Sequence, residues 1–505
     1  MSSPSNAYDR VPYPSLAFLQ THPDRLAVMG TLHGMNPSPV EHCRVLELAC
    51  GNGSNLIPMA YGLPNSKFLG VDLAAKPVEF SQERIRRLGL ENIRIEQMDL
   101  MEIGPEFGEF DYIIAHGVFA WVPEPVQQKI LAVCRANLSA NGVAFVSYNT
   151  NPVGNIRQIL RAMTQFHERR TAGSSVGSGD RVKAGREFLE SILKATHTRS
   201  PWKALFQDEL KLMFNRDEHV VYHDDLAACF TPVSFGDFVE CAERCGLQYL
   251  SEAGVKELQE PELGAEALDL LKQLANGDEI AYQQYLDFAS YRRFRQTLLC
   301  HARVLLRRDV VMERIKKLFV ASPLIVSAEQ GGGAVQCTNS RGSGTLTTNN
   351  PAIIAVLRRL EQIWPRAERF EELESAMIPL IPEALQKEAV EGLAQAVVKL
   401  AARTLIDLRT YNLPLAAACS ELPTSSLLAR VMVEEGSVVT TLLHTHINIE
   451  DEQGRKFLRL LDGTRDRQAL THALAAGAPN VSRDEILRQV DGNLVSFYRM
   501  GLLVA

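Results

Sequence analysis

Val45-Leu-Glu-Leu-Ala-Cys-Gly-Asn-Gly-Ser54 runs from an apolar, strand-like stretch straight into a glycine turn, and a helical pattern over Ser54–Tyr61 follows. Glycine lets the backbone turn tightly and approach a ligand closely. The helix start then offers unpaired N–H groups to that ligand. About 20 residues beyond Gly51, Asp72 stands at the tip of the next apolar run, a spacing that suits a carboxylate accepting from ribose hydroxyls. Asp99 closes a third such run. A dinucleotide fingerprint would need a third glycine, and position 56 is leucine; Glu47 instead precedes the turn. A lone Gly-x-Gly is weak evidence, but strand, helix and both acidic residues coincide here and outweigh an ordinary βα turn.

The pattern continues outward from this turn. Arg44–Ala49, Lys67–Leu73, Ile93–Asp99, Asp111–Gly117 and Gly142–Asn149 are apolar strands, separated by helical stretches such as Pro77–Leu88 and Glu124–Leu138. Such alternation predicts βαβ units and a mostly parallel sheet, with ligands at the carboxyl ends of its strands. Residues 151–230 read as a helical insertion over the site, with a loose loop at Thr171–Asp180. Thr231–Ala253 returns as one more helix and strand, which puts the first domain at 1–255. Glu260 to about Phe319 reads as helical and rich in arginine. Residues 326–350 are Gly/Ser/Thr-rich and read as a strand pair or linker. A helical, winged-helix-like unit completes 256–410, and a winged-helix-like domain fills 411–505.

Composition bounds the function. A chain of 505 residues exceeds one core and suggests about three domains. Its net charge of -7 argues against bulk nucleic-acid binding. No run reaches the ~18 apolar residues a membrane span needs, and the polar start lacks the apolar core of a signal peptide. Nine cysteines are few and odd in number; Cys241 and Cys245 share a helix face, which fits reduced thiols in a cytoplasmic protein. No metal site is read.

With these residues in place, the sequence resembles the class I S-adenosylmethionine-dependent methyltransferases, an α/β Rossmann-like fold. Their first motif, an acidic residue and then G-x-G-x-G, maps onto Glu47, Ala49, Gly51 and Gly53, with Ala49 replacing the first glycine. The resemblance implies that Glu47 and the turn hold the methionine part. It gives Asp72, with Leu73, the ribose and Asp99-Leu100 the adenine, and places His116 near the sulfonium. Four further passages resemble the bacterial subfamily that carries a methyltransferase regulatory domain. They are Tyr8–Ser15 with Gln20–Pro23, Ala115–Pro123, Ser147–Thr150 and Arg292–Cys300; Leu460–Arg467 fits as well. That subfamily includes protein-lysine methyltransferases acting on rickettsial surface proteins, so the resemblance implies a protein or peptide substrate. One departure stands at the acceptor entrance, where a proline-glycine-tryptophan run is replaced by Asn149-Thr-Asn-Pro-Val-Gly154.

Methyl transfer from a sulfonium is an in-line displacement, so positioning and exclusion of water supply most of the acceleration. An amine acceptor must arrive neutral. His116, Tyr148 and Asn149 are the candidate catalytic groups at strand ends. Phe119 and Trp121 are candidate substrate contacts, with core packing the competing reading for Trp121. Tyr13, Gln20 and His22 lack core periodicity and suit a lid over the cofactor. The arginines at 292–295 read as a solvated helix face or a clamp for an acidic partner. A protein or peptide is the expected partner, nucleic acid and membrane are not, and a homodimer is left open. A small-molecule methyltransferase and a non-catalytic scaffold stay open as alternatives.

Overall fold

The computed structural model describes residues 7–504 except 172–176, 197–199, 228, 259–261, 309–311, 329–332, 343, 382, 384–385 and 478–480. Residues 172–176 of the loop expected at Thr171–Asp180 therefore lie outside the described residues, and Ser178–Asp180 already begin a helix. Seven strands form the central sheet: β1 (Arg44–Leu48), β2 (Lys67–Asp72), β3 (Ile93–Gln97), β4 (Phe110–Ala115), β5 (Leu138–Asn149), β6 (Leu247–Glu252) and β7 (Phe294–His301). Their order is β3-β2-β1-β4-β5-β7-β6. The first five pair in parallel, and β7 runs antiparallel to both β5 and β6. β1 is covered on both faces and buries Val45 to Leu48 without a break, Glu47 included. The order reverses between β1 and β4, which opens a crevice at their carboxyl ends.

Helices Leu56–Gly62, Ala75–Leu88 and Glu124–Asn137 make the crossovers. The second ends on Gly89 at φ 64, the left-handed closure that glycine adopts without strain. Helix Phe235–Arg244 leads into β6, as the sequence of 231–253 anticipates. Cys241 and Cys245 sit half-buried at that helix, and all nine cysteines are free thiols.

The arginine-rich stretch differs from its sequence reading. Helices Ala265–Ala275 and Glu279–Ser290 are present, but Phe294–His301 is a sheet strand, so the α/β layer closes at His301 and not at 255. Arg295 is neither a solvated face nor a clamp for a partner. It is fully buried, donating at 2.7 Å to each oxygen of Asp287 and at 2.8 Å to Glu252. Its guanidinium also lies 3.8 Å from the centre of the Phe235 ring. A charge run reads as surface because burying a charge is expensive, and here two internal carboxylates and a ring meet that cost.

The insertion consists of helices Val153–Thr171, Ser178–Ala195, Pro201–Asn215 and Glu218–Asp225 around their own small core, which includes Leu160, Val182, Leu189 and Val221. Downstream, strands Leu324–Val326, Val335–Asn339 and Thr345–Thr348 form an antiparallel sheet, so the Gly/Ser/Thr-rich segment carries a strand pair. Helices Pro351–Ile363, Phe370–Met377 and Gln386–Ala402 follow. The C-terminal unit combines helices Leu427–Glu435, Glu452–Leu460, Arg467–Ala475 and Arg483–Arg499 with the hairpin Val438–Thr440/His446–Asn448, a winged helix. Buried apolar residues of this unit and of the Rossmann-like domain belong to one continuous core. No helix among the described residues is long and apolar enough to cross a membrane.

Replacing Arg295 with methionine leaves Asp287 and Glu252 buried without their cation. The expected loss is about 3–5 kcal/mol, seen as a lower urea midpoint. An unchanged midpoint contradicts the buried pairing.

Candidate active site

The glycine turn after β1 carries three left-handed residues, Ala49 (φ 56), Gly51 (φ 57) and Gly53 (φ 69). Alanine therefore occupies a conformation that the first glycine of the motif would adopt without strain. A Cβ on Gly53 would stand 2.6 Å from Ile95 Cδ1 and 2.9 Å from Ile57 Cδ1, so the turn needs glycine for packing as well as for φ. A Cβ on Gly51 would meet only Ser15 Oγ, at 3.6 Å, which leaves an open cradle over the turn.

Asp72 pins that turn to the neighbouring strand. Its Oδ2 accepts from the Gly51 N–H and its Oδ1 from the Ala74 N–H, both at 2.8 Å. Burial raises its pKa, opposed by these N–H donors. Each oxygen keeps a second lone pair for a diol. Leu73, 58% exposed, follows Asp72 at the rim. The tip of β3 lies alongside, with Met98 N–H donating to Asp72 O at 2.9 Å. Asp99 there is exposed and accepts from Met101 N–H at 2.9 Å, starting the 3-10 turn Leu100–Glu102.

Glu47 lies behind the turn, 4% exposed. Its Oε1 accepts from Asn55 Nδ2 at 2.7 Å, while Oε2 is buried with no hydrogen-bond partner among the described residues. Burial pushes this carboxyl up to about 8. An orphaned carboxylate oxygen beside an open glycine cradle fits the ammonium end of an adenosyl amino acid, with Asp72 and Asp99 spaced along the cleft for its ribose and base.

His116 follows β4. Its Nδ1 lies 2.9 Å from Ser147 Oγ, which also accepts from the Gly117 N–H at 2.9 Å. Burial lowers its pKa to about 4, so the ring is neutral at pH 7. Phe18 covers it, with ring centres 4.1 Å apart. The N-terminal segment thus crosses the site, with Ser15 over Gly51 and Phe18 over His116. Tyr13, in the same segment and 39% exposed, donates to Asp224 of the insertion at 3.4 Å. Gln20 is half-buried in the 3-10 turn Leu19–Thr21.

Other candidates stand elsewhere. Consecutive strand residues face opposite sides, so Tyr148 and Asn149 cannot both face the cleft. Ser147 meets His116, which puts Asn149 on the same face of β5. Tyr148 is buried behind the sheet, stacked on Phe238 at 4.3 Å and bonded to Thr297 Oγ1 at 3.1 Å. Phe119 is likewise core, edge-on to Phe238 at 5.2 Å. Trp121 packs on Phe230 at 4.8 Å beneath the insertion, near Arg157 and Arg161. His22 caps helix Pro23–Leu32, its Nδ1 accepting from Asp24 N–H at 3.2 Å. Asn55, Ser147 and Phe18 were missed as site residues. Asn55 directly follows the quoted motif, and Ser147 lies within a quoted passage, so both were within reach of a period-2 and helix-start reading.

With Glu47 protonated near neutrality, a cationic amine at Oε2 must displace its proton. Below about pH 8, binding of AdoHcy is therefore expected to release a proton, and affinity rises by up to tenfold per pH unit towards that value. Calorimetry in buffers of different ionisation enthalpy reads the proton directly. Glu47→Gln should flatten the profile; an equally steep profile in that variant removes Glu47 from the assignment.

Comparisons with known proteins agree with this geometry. A methyltransferase domain family matches residues 45–142, a family described as a predicted methyltransferase regulatory domain matches 217–301, and the PKMT C-terminal winged helix domain matches 421–495. Uncharacterized protein RP789 of Rickettsia prowazekii is 30% identical over 501 residues, covering 97% of this chain and 89% of its own. RP028 of the same organism is 35% identical over 239 residues, 47% of this chain and 94% of its own. The structure of PKMT2 from Rickettsia typhi in complex with AdoHcy superposes with a TM-score of 0.86 at 25% identity, over 98% of this chain and 100% of that one. The cofactor is thus S-adenosylmethionine, which supplies the methyl group when bound. The chain belongs to the family of class I S-adenosylmethionine-dependent methyltransferases that join a Rossmann-like domain to a methyltransferase regulatory domain and a C-terminal winged helix.

Proposed function

We propose that the chain methylates a side-chain nitrogen of a protein or peptide, with lysine favoured. The observation that carries this reading is the full-length correspondence to PKMT2, winged helix included. More than 200 residues lie beyond the sheet that holds the cofactor, a surface suited to docking a polypeptide and superfluous for a small acceptor.

An ammonium has no lone pair to attack with, so the site must favour the neutral amine. Desolvation does so by penalising the charged form. His116 is neutral at pH 7 and, in the tautomer whose Nδ1–H donates to Ser147, keeps a lone pair on Nε2. That lone pair can accept from an amine N–H and fix its orientation. Asn149, on the same strand face as Ser147, offers an amide for the same purpose. Neither group needs to carry away a full proton, and the pKa of His116 is too low for it to hold one.

Incubation with cofactor carrying a labelled methyl group and a cell lysate tests the acceptor class. Label is expected in polypeptide, recovered as methylated lysine after hydrolysis. Label confined to small metabolites overturns the proposal in favour of a small-molecule enzyme. His116→Phe should keep AdoHcy affinity within a few-fold and lower turnover on the polypeptide acceptor by about 100-fold. Undiminished turnover takes His116 out of the acceptor site.

A further inference from the structure

Asn55 is the most fully engaged polar side chain near the cofactor turn, and one of its partners comes from the far end of the chain. Its Oδ1 accepts from Phe18 N–H at 2.9 Å and lies 3.1 Å from His444 Nε2. Its Nδ2 donates to Glu47 Oε1 at 2.7 Å and to Thr21 Oγ1 at 2.9 Å. Because a backbone N–H can only donate, the oxygen of Asn55 must face Phe18, and His444 Nε2 must therefore carry the proton. One amide thus joins the motif acid, the lid residue over His116 and the winged helix.

His444 sits in the turn of the winged-helix hairpin at φ 55, a conformation that residues other than glycine seldom adopt. The turn is braced from within: Thr441 N–H donates to Thr445 O at 2.7 Å, and His444 N–H to Thr441 O at 3.0 Å. The imidazole is 4% exposed and faces His22 with ring centres 5.1 Å apart. Two further contacts place the same module on the same turn and helix. Glu435 pairs with Arg84 at 2.6 Å, and Arg84 donates to Ser54 Oγ at 3.2 Å. Leu427 N–H donates to Tyr61 Oη at 3.0 Å. Ser54, Asn55 and Tyr61 all belong to the turn and helix that receive the methionine end of the cofactor.

We propose that the winged helix forms the rear wall of the cofactor site, with His444 a positioning residue that fixes Asn55 and through it Glu47 and Phe18. Docking of the winged helix and occupancy of the cofactor cleft then favour each other, and the linkage is reciprocal. The inference concerns the donor side alone and holds whatever the acceptor is.

Titration of the full-length protein with AdoHcy tests it. His444→Ala removes a donor from a buried carbonyl oxygen and is expected to weaken AdoHcy about tenfold. His444→Gln, which retains an N–H donor at similar reach, is expected to recover most of that loss. Hydrogen exchange of the unsubstituted protein supplies the converse reading: AdoHcy should slow exchange across residues 438–448. Unaltered affinity in His444→Ala, or an equal loss in both variants, overturns the proposal. If neither variant folds, exchange decides it, and a hairpin indifferent to AdoHcy overturns it equally.

Discussion

The Asp72 carboxylate, shared between the amides of Gly51 and Ala74, holds the cleft in shape. It ties the turn leaving β1 to the turn leaving β2, so two strand ends at the topological switch point become one rigid edge. The positive φ values at 49, 51 and 53 are tolerable only because this edge and the packing of Ile57 and Ile95 fix the chain between them. What remains open along that edge is a row of acceptors: the second lone pairs of Asp72, the exposed carboxylate of Asp99 and the orphaned oxygen of Glu47. A ligand with a diol, a base and an ammonium would fit this row. Its positive charge also offsets the burial that pushes the Glu47 carboxyl up to about 8.

The same economy of buried charge organises the outer half of the sheet. Arg295 joins β7 to β6 through Glu252 and to helix Glu279–Ser290 through Asp287. Thr297, two positions further along β7, reaches both Glu252 and the Tyr148 hydroxyl. Tyr148 is therefore committed to holding β5 against β7, and its burial keeps the phenol protonated. The face of β5 turned towards His116 belongs to Ser147 and Asn149.

The legible parts of the sequence were those whose signal is local. Gly51, Gly53, Asp72 and Glu47 lie within one βαβ unit, where spacing along the chain translates directly into proximity. β7 was not legible, because Arg295 is buried by carboxylates 8 and 43 positions away, and a charged run looks solvated until those partners are seen. Tyr148 and Phe119 were assigned to the cleft by position alone, where the two-residue repeat of β5 and the tuck of the 119–121 turn place them behind it. His22 looked like part of a lid because its aromatic and polar run lacks core periodicity, whereas the ring is used to cap the next helix. His444 lies 389 positions from Asn55, and no pattern within the winged helix points to it.

Closure of the cleft is divided between two segments that are remote from one another in the chain. The lid at Tyr13–Gln20 covers the turn and His116, but it has little core of its own. It is held from the insertion: His223 Nε2 donates to Val11 O at 2.8 Å, the Tyr8 ring stacks on His223 at 4.2 Å, and Tyr13 reaches Asp224. All three contacts come from helix Glu218–Asp225, where the matched regulatory domain begins at residue 217. That domain therefore supplies the anchor of the lid at one end and strands β6 and β7 at the other. In this chain it is a structural part of the catalytic unit, built into the same sheet and cover, and not a separate body that visits it. Exclusion of water from a methyl transfer then follows from how the later segments fold back over the first.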